Sequence, residues 1–237
     1  TYAGDGNIET VLSMKFNTTQ DYNGNQDGNR WLVMMGMRNT NWSPYGKGWG
    51  ACTVHPKVWN AFESGDKRKT ASIIDLVGEG IESSFDLKDQ REYTGYTVKK
   101  YTPMAFADGT SASKADGSGD FQTSQHQDFV VVRYADVLLM AAELGSSNAQ
   151  LYFDKVRSRA GLTTKEPSQE NIMKERFVEF AFEGQRYWDL LRQGIDVASS
   201  TIAESGIELK SGGNPDVITI TADKIKTTKG FCQIPST

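Results

Sequence analysis

Cysteine and histidine are scarce in this chain, which carries two of each: Cys52 and Cys232, His55 and His126. Neither histidine has a second His or Cys near it, so the spacing needed for a zinc site is missing. The two cysteines lie far apart; they pair as one disulfide in an oxidising compartment or remain two thiols, and the sequence does not choose. Blocks of Lys and Arg are missing too. With 26 basic against 30 acidic residues, a net charge of −4 and a pI near 5.3, nucleic acid is excluded as the main partner, because nothing is arranged to neutralise phosphates. No apolar run approaches the roughly 18 residues of a membrane span. No signal-like stretch follows Thr1, so any targeting segment is expected to lie outside these residues. Only 38% of the residues are hydrophobic while 23 are glycine, which predicts much loop. A length of 237 residues still allows one large domain or two small ones with a self-sufficient core.

The stretch around which the rest is organised runs from Ser168 to Gly194. Ser168 is a good N-cap, Glu170 suits the positive end of a helix dipole, and Gly194 can end a helix in a left-handed conformation. The pattern predicts one helix of about 24 residues, roughly 36 Å long. Met173, Phe177, Phe180, Ala181, Gly184, Trp188 and Leu191 fall on one stripe, while Ile172, Val178, Phe182 and Leu190 occupy other faces. Such a helix is packed on several sides. Glu175, Glu179, Glu183 and Arg186 share one face at spacings of four, four and three, with Arg176 beside it. On so apolar a helix these groups are expected to be buried and paired as a structural charge network. The competing reading makes Glu175, Glu179 or Glu183 the carboxylates of a glycoside hydrolase. Residues on adjacent turns of one helix do not flank a substrate at the ~5–9 Å that reaction needs.

Along the chain, Ile8, Leu12, Met14 and Phe16 alternate as in a half-buried strand. Asp21, Asn23 and Asn25 imitate the start of a calcium loop, but Gln26 and Leu32 replace its Gly and Glu, so a solvated loop is expected. The acidic turn Asp116–Asp120 is read the same way. After the apolar run Trp31–Met37 comes RNTNWSPYGKGWGACT, residues 38–53. Its aromatics either stack on the apolar face of a sugar ring, with amides and a guanidinium bonding hydroxyls, or plug the core beneath the loop. Pro56 opens a short helix that Gly65 is expected to end, with Val58, Trp59 and Phe62 facing inward. Ala71–Val77 and Tyr93–Tyr101 read as extended segments, and residues 106–127 as a long loop. Arg133–Leu144 and AQLYFDKVRSRA (149–160) form an αα-hairpin the size of a tetratricopeptide unit. A single such unit is expected to miss neighbours and to expose apolar groups such as Leu138, Leu139 or Phe153. Ile207–Leu209 and Val217–Thr221 predict short strands around SGGNPD.

RYADVLLMAAEL, FDKVRSRAGL, ERFVEFAFEGQRYWDLLRQG and the final QIP, in this order, resemble the C-terminal half of the SusD/RagB family. The resemblance implies a mainly α, SusD-like fold: a tetratricopeptide-type helix pair plus a long buried helix, with a loop-rich region and short β-strands. It further implies one region over 1–237, comprising a loop-rich ligand-binding part (1–128), a helical part (129–197) and a short β tail (198–237). The family's N-terminal helical-repeat half is expected to lie outside this sequence. The implied function is non-catalytic. A Gram-negative cell-surface lipoprotein of the outer membrane captures a glycan and delivers it to a SusC-like TonB-dependent transporter. The lipid anchor lies outside the chain, since neither Cys52 nor Cys232 is placed to carry it; no cofactor and no metal are expected. Peptide binding is the nearest alternative, and a ligand-free scaffold a remoter one. The candidate ligand site is the Arg38–Trp49 loop. There Trp42, Tyr45 and Trp49 are the stacking platforms, and Arg38, Asn39 and Asn41 bond to hydroxyls.

Overall fold

Among the described residues every sheet has two strands, and helices outweigh strands. The computed structural model describes residues 6–16, 28–38, 44–84, 86–104, 122, 125 and 127–231. In chain order the elements are β1 (Thr10–Met14), α1 (Arg30–Met35), β2 (Met37–Arg38), β3 (Lys47–Gly48), α2 (Pro56–Ala61) and α3 (Arg68–Ser72). β4 (Ile73–Asp75), β5 (Tyr96–Val98), β6 (Phe129–Arg133), α4 (Tyr134–Glu143), α5 (Ala149–Arg159) and α6 (Gln169–Glu179) follow. The chain continues through α7 (Arg186–Leu191), α8 (Ile195–Ile202), β7 (Glu204–Ser211), β8 (Asn214–Ile220) and α9 (Ala222–Thr227). Strands pair β1 with β6, β4 with β5 and β7 with β8 in antiparallel fashion, whereas β2 and β3 are parallel. The protein is mainly α.

The stretch from Ser168 to Gly194 is not one rod. The Ser168 side chain accepts from the Asn171 amide as foreseen, but α6 stops at Glu179. Phe182 at φ 67° and Gly184 at φ 77° then turn the chain before α7 begins. Gly184 adopts that conformation without a Cβ penalty, and Phe182 tolerates it because its ring packs on the core beside Leu32 and Val98. The break changes two expectations. Trp188 leaves the core stripe and is 62% exposed. Arg186 leaves the carboxylate face and, among the described residues, bonds to the Met173 carbonyl at 3.3 Å and lies over the Phe177 ring.

α6 lies between two cores. Ile172 and the following Phe180 pack with Leu138, Leu139, Phe153 and Val156 of the α4–α5 hairpin; Val178 packs with Leu32, Val54, Ile73 and Val98 on the other side. Between these cores lies a continuous ionic layer. Glu179 accepts from Arg68 Nη1 at 2.8 Å and from both Arg133 and Arg159. Glu175 accepts from Arg68 Nη1 at 2.6 Å and Arg157 Nη1 at 2.8 Å. Glu183, carried by the turn, meets Arg133 Nη2 at 2.9 Å and Lys100. Asp66 holds the remaining Nε and Nη2 donors of Arg68 at 2.9 and 2.7 Å. Arg176 points elsewhere, to Asp136 at 2.6 Å and Asp189 at 2.8 Å. Burial alone would raise the carboxyl pKa of Glu179, but the Arg133 and Arg159 charges and the Arg68 and Arg133 bonds outweigh it and hold the value at about 2. The side chains of Glu175 and Glu179 are each 2% exposed, and both oxygens of each accept from guanidinium groups.

Elsewhere the expectations shift in detail. Ile8, Leu12 and Met14 are exposed, so β1 is a surface strand held by β6 rather than half-buried. α2 is capped by His55 and ends at Ala61, before Gly65; Phe62 is buried, while Val58 and Trp59 pack partly against the same core. β4 lies within the extended segment expected at Ala71–Val77, while α3, which was not expected, takes its first two residues. The α4–α5 hairpin forms, but Leu138, Leu139 and Phe153 are its buried face. Its exposed apolar groups are instead Val137, Met140 and Leu144, on one stripe of α4 and its cap, and Leu151. The C-terminal part carries α8 and α9 as well as the β7–β8 hairpin, whose turn places Gly212 and Gly213 at φ 57° and 80° as a type I′ turn requires. Both candidate calcium ligands runs, 21–25 and 116–120, together with His126, Cys232 and the QIP motif, lie outside the described residues. Cys52 is partly buried, and burial pushes its thiol pKa up.

Two outcomes follow from the ionic layer. Glu179→Ala leaves Arg68, Arg133 and Arg159 short of a buried partner and should cost about 3–5 kcal/mol in denaturant unfolding. Because the folded pKa of Glu179 is depressed from 4.5 to about 2, its contribution of about 3 kcal/mol is present above pH 4.5 and is lost as pH falls towards 2. Denaturant midpoints recorded between pH 6 and 2.5 should therefore drop more steeply for the wild type than for Glu179→Gln.

Candidate ligand-binding site

Glycine fixes both ends of the aromatic loop. The Trp49 amide donates to the Val33 carbonyl at 2.7 Å, Gly50 N to Gly36 O at 2.9 Å and Ala51 N to Met34 O at 2.8 Å, so the chain leaving β3 lies directly on the end of α1. A Cβ on Gly48 would stand 2.4 Å from the Val33 oxygen and 2.6 Å from the Gly36 Cα, an approach that no other residue permits. Asn29 caps α1 by accepting from the Trp31 amide, which orients the helix that receives the loop. On the entering side, Arg38 donates from Nε to Asp89 O at 2.6 Å and from Nη1 to Trp49 O at 3.0 Å, tying β2, β3 and the 3-10 turn Leu87–Asp89 together.

The six expected ligand residues therefore divide. Asn39, Asn41 and Trp42 lie outside the described residues. Tyr45 is not a platform: it is 5% exposed and packs with Met37, Ile74 and Ile81. Its hydroxyl donates to Glu79 at 2.8 Å, Lys99 lies 5.4 Å from its ring, and burial raises its pKa. The plug reading holds for this ring because Gly46 N bonds to Pro103 O at 2.6 Å and draws the preceding residue down. Trp49 is different. It is 36% exposed, its Nε1 donates to Gln122 at 3.1 Å, and the Arg30 guanidinium stands 5.7 Å from its ring. Held at its edge, the ring keeps solvent-facing area that a flat apolar surface can cover.

Arg38 opens onto a polar cleft of about 360 Å³ that it shares with Lys88, Asp89, Gln90, Arg91, Glu92 and Ser211. Gln90 Nε2 donates to Arg38 O at 3.3 Å, and Glu92 N to Ser211 Oγ at 3.3 Å. Hydroxyl-bonding groups thus border the loop, from elements distant in sequence. Arg30 flanks the apolar run but was not singled out in the sequence; Gln90, Ser211 and Gln122 carry no sequence signal, because only the fold brings them to residue 38 or 49. Among the described residues no cluster of His, Cys, Asp and Glu is arranged for a metal, and no helix is long and apolar enough to cross a membrane.

Comparison with known proteins agrees with this architecture. SusD-like protein P2 of Formosa agariphila is 25% identical over 192 residues, covering 73% of this chain and 37% of that protein. A solved laminarin-binding SusD-like protein superposes with a TM-score of 0.69 at 28% identity, over 86% of this chain and 46% of its own. Surface glycan-binding protein A from Bacteroides fluxus gives 0.66 at 25% identity, over 83% and 42%. The chain spans less than half the length of each of these relatives. The family model described as SusD family matches residues 78–235, from just after β4 through the helical layer to the C-terminal segment, and the chain belongs to that family.

Proposed function

We propose that this chain is the glycan-binding part of a cell-surface protein. It captures an oligosaccharide or polysaccharide without cleaving it and hands it to a TonB-dependent outer-membrane transporter. Trp49 carries this reading: a partly exposed indole on a backbone pinned to α1, whose carbonyl accepts from the Arg38 that lines a cleft of amide, guanidinium and hydroxyl groups. A ring held in this way loses little entropy on stacking against a sugar. Trp42, Asn39 and Asn41, outside the described residues, belong to the same proposal by their place in the sequence. Similarity to a laminarin-binding protein at 28% identity supports a saccharide ligand over a peptide. The carboxylates that a hydrolase would use are locked in guanidinium pairs, which supports binding without catalysis. Anchoring to the outer membrane through a lipid is part of the same proposal, with the anchor outside these residues. The exposed Val137, Met140 and Leu144 stripe is where further helices of the whole protein would dock.

Stacking on the exposed part of one indole is expected to contribute ~1–2 kcal/mol. Trp49→Ala should then weaken laminarihexaose binding about tenfold in calorimetry while leaving the melting temperature unchanged. Tyr45→Phe should do the reverse. Losing the bond to Glu79 should destabilise the fold by about 1 kcal/mol and leave affinity intact. An exchange of these two phenotypes would place the platform at Tyr45 and overturn the assignment.

A further inference from the structure

Among the described residues Arg68, Arg133, Arg157, Arg159, Arg176 and Arg192 each pair with a carboxylate, whereas Arg186 has none within ion-pair distance. Its Nη1 makes one long bond to the Met173 carbonyl at 3.3 Å, and its carbon lies 4.4 Å from the centroid of Phe177. Asp189 is in the same helix, but its Oδ2 is taken by Arg176 and its Oδ1 by Arg192. Burial pushes the Arg186 pKa down, opposed only in part by Asp189. A half-buried cation with most of its five donors unused is costly unless something else completes it.

The guanidinium lines an open groove of about 890 Å³ between α2, α6, the start of α7 and β7. None of the groove's lining residues belongs to the Arg38–Trp49 loop. Lys57 does not supply a second unpaired charge, since it lies 3.5 Å from Glu204 and bonds to Thr201 O at 3.2 Å. His55 Nε2 has no hydrogen-bond partner, with Glu204 3.7 Å away. Asn60 offers an exposed amide, and Glu208 an exposed acceptor for hydroxyls. The groove therefore combines one uncompensated planar fork with hydroxyl-bonding groups and two carboxylates. The fork matches a planar carboxylate in bidentate fashion. The two carboxylates disfavour a second anion beside the first, which excludes densely charged polymers such as nucleic acid.

We propose that this groove binds a uronic-acid residue of an acidic oligosaccharide, with Arg186 holding its carboxylate and Asn60 and Glu208 its hydroxyls. The inference rests on the glycan reading only in taking the ligand to be a saccharide. Calorimetry on the full chain would compare a neutral tetrasaccharide carrying a single uronic-acid residue, its methyl ester, a sulfated neutral tetrasaccharide and laminarihexaose. The uronate should bind at least tenfold more tightly than its ester, and Arg186→Ala should abolish that difference. Arg186→Lys, which offers a point charge instead of a fork, should retain part of it. Should the alanine variant fold poorly, Asn60→Asp, on the exposed side of α2, should weaken the uronate tenfold without lowering the melting temperature. Equal affinity for acid and ester, or an unchanged uronate affinity in folded Arg186→Ala, overturns the proposal; so does tighter binding of the sulfated sugar. Laminarihexaose separates the two readings. Its affinity should be unaffected by Arg186 and Asn60 substitutions, and its failure to bind while the uronate binds would sink the Trp49 site alone.

Discussion

Three buried glutamates on α6 and its following turn must each find cations, and the rest of the structure is arranged around that requirement. A carboxylate removed from water costs several kcal/mol unless hydrogen bonds and opposite charge replace its hydration. Here the cations come from almost every neighbouring element: Arg68 from α3, Lys100 after β5, Arg133 at the end of β6, and Arg157 and Arg159 from α5. Hydrophobic contact would bring these elements together in many registers. The ionic layer admits one, because a guanidinium displaced by a residue leaves two or three charges unpaired.

That layer also positions the loop proposed to face the ligand. Arg68 begins α3, which runs directly into β4, and β4 pairs with β5. β4 contributes Ile73 to the core that supports α1 and Ile74 to the core that buries Tyr45. Through these contacts the loop carrying Trp49 stands on the same frame as α6. A stacking ring benefits from such rigidity, since ordering it in the unbound state removes a cost from binding. The separation of roles within one loop follows from the same packing: Tyr45 is drawn inward to Glu79 while Trp49 stays at the rim.

Much of the helical layer was legible in the sequence because helices write their periodicity and caps locally. Ser168, Gly145 and Gly161 marked real termini, and the hairpin formed within a residue or two of its expected bounds. The break after Glu179 was hidden, because Phe182 at positive φ is held by tertiary contacts that no local pattern records. Burial of Glu175, Glu179 and Glu183 could be inferred from the apolar surroundings of their helix. Their partners could not, since Arg68 and Arg133 are distant in sequence. The proposed site was legible as a composition of aromatics and glycines, but not in which ring is buried and which stays at the surface. Gly48 and Gly50 serve close backbone approach to α1 and Arg38, a fact that the spacing of glycines alone does not reveal.

If the ionic layer couples the helical and loop-bearing parts, weakening it should loosen both together. Native-state hydrogen exchange on Glu179→Gln measures this directly, residue by residue. The account predicts that amides of β4 and β5 and amides of α4 and α5 lose protection by the same free energy, because Arg68 and Arg133 lose a shared acceptor. Loss confined to α6, with β4–β5 and the hairpin protected as in the wild type, would contradict it.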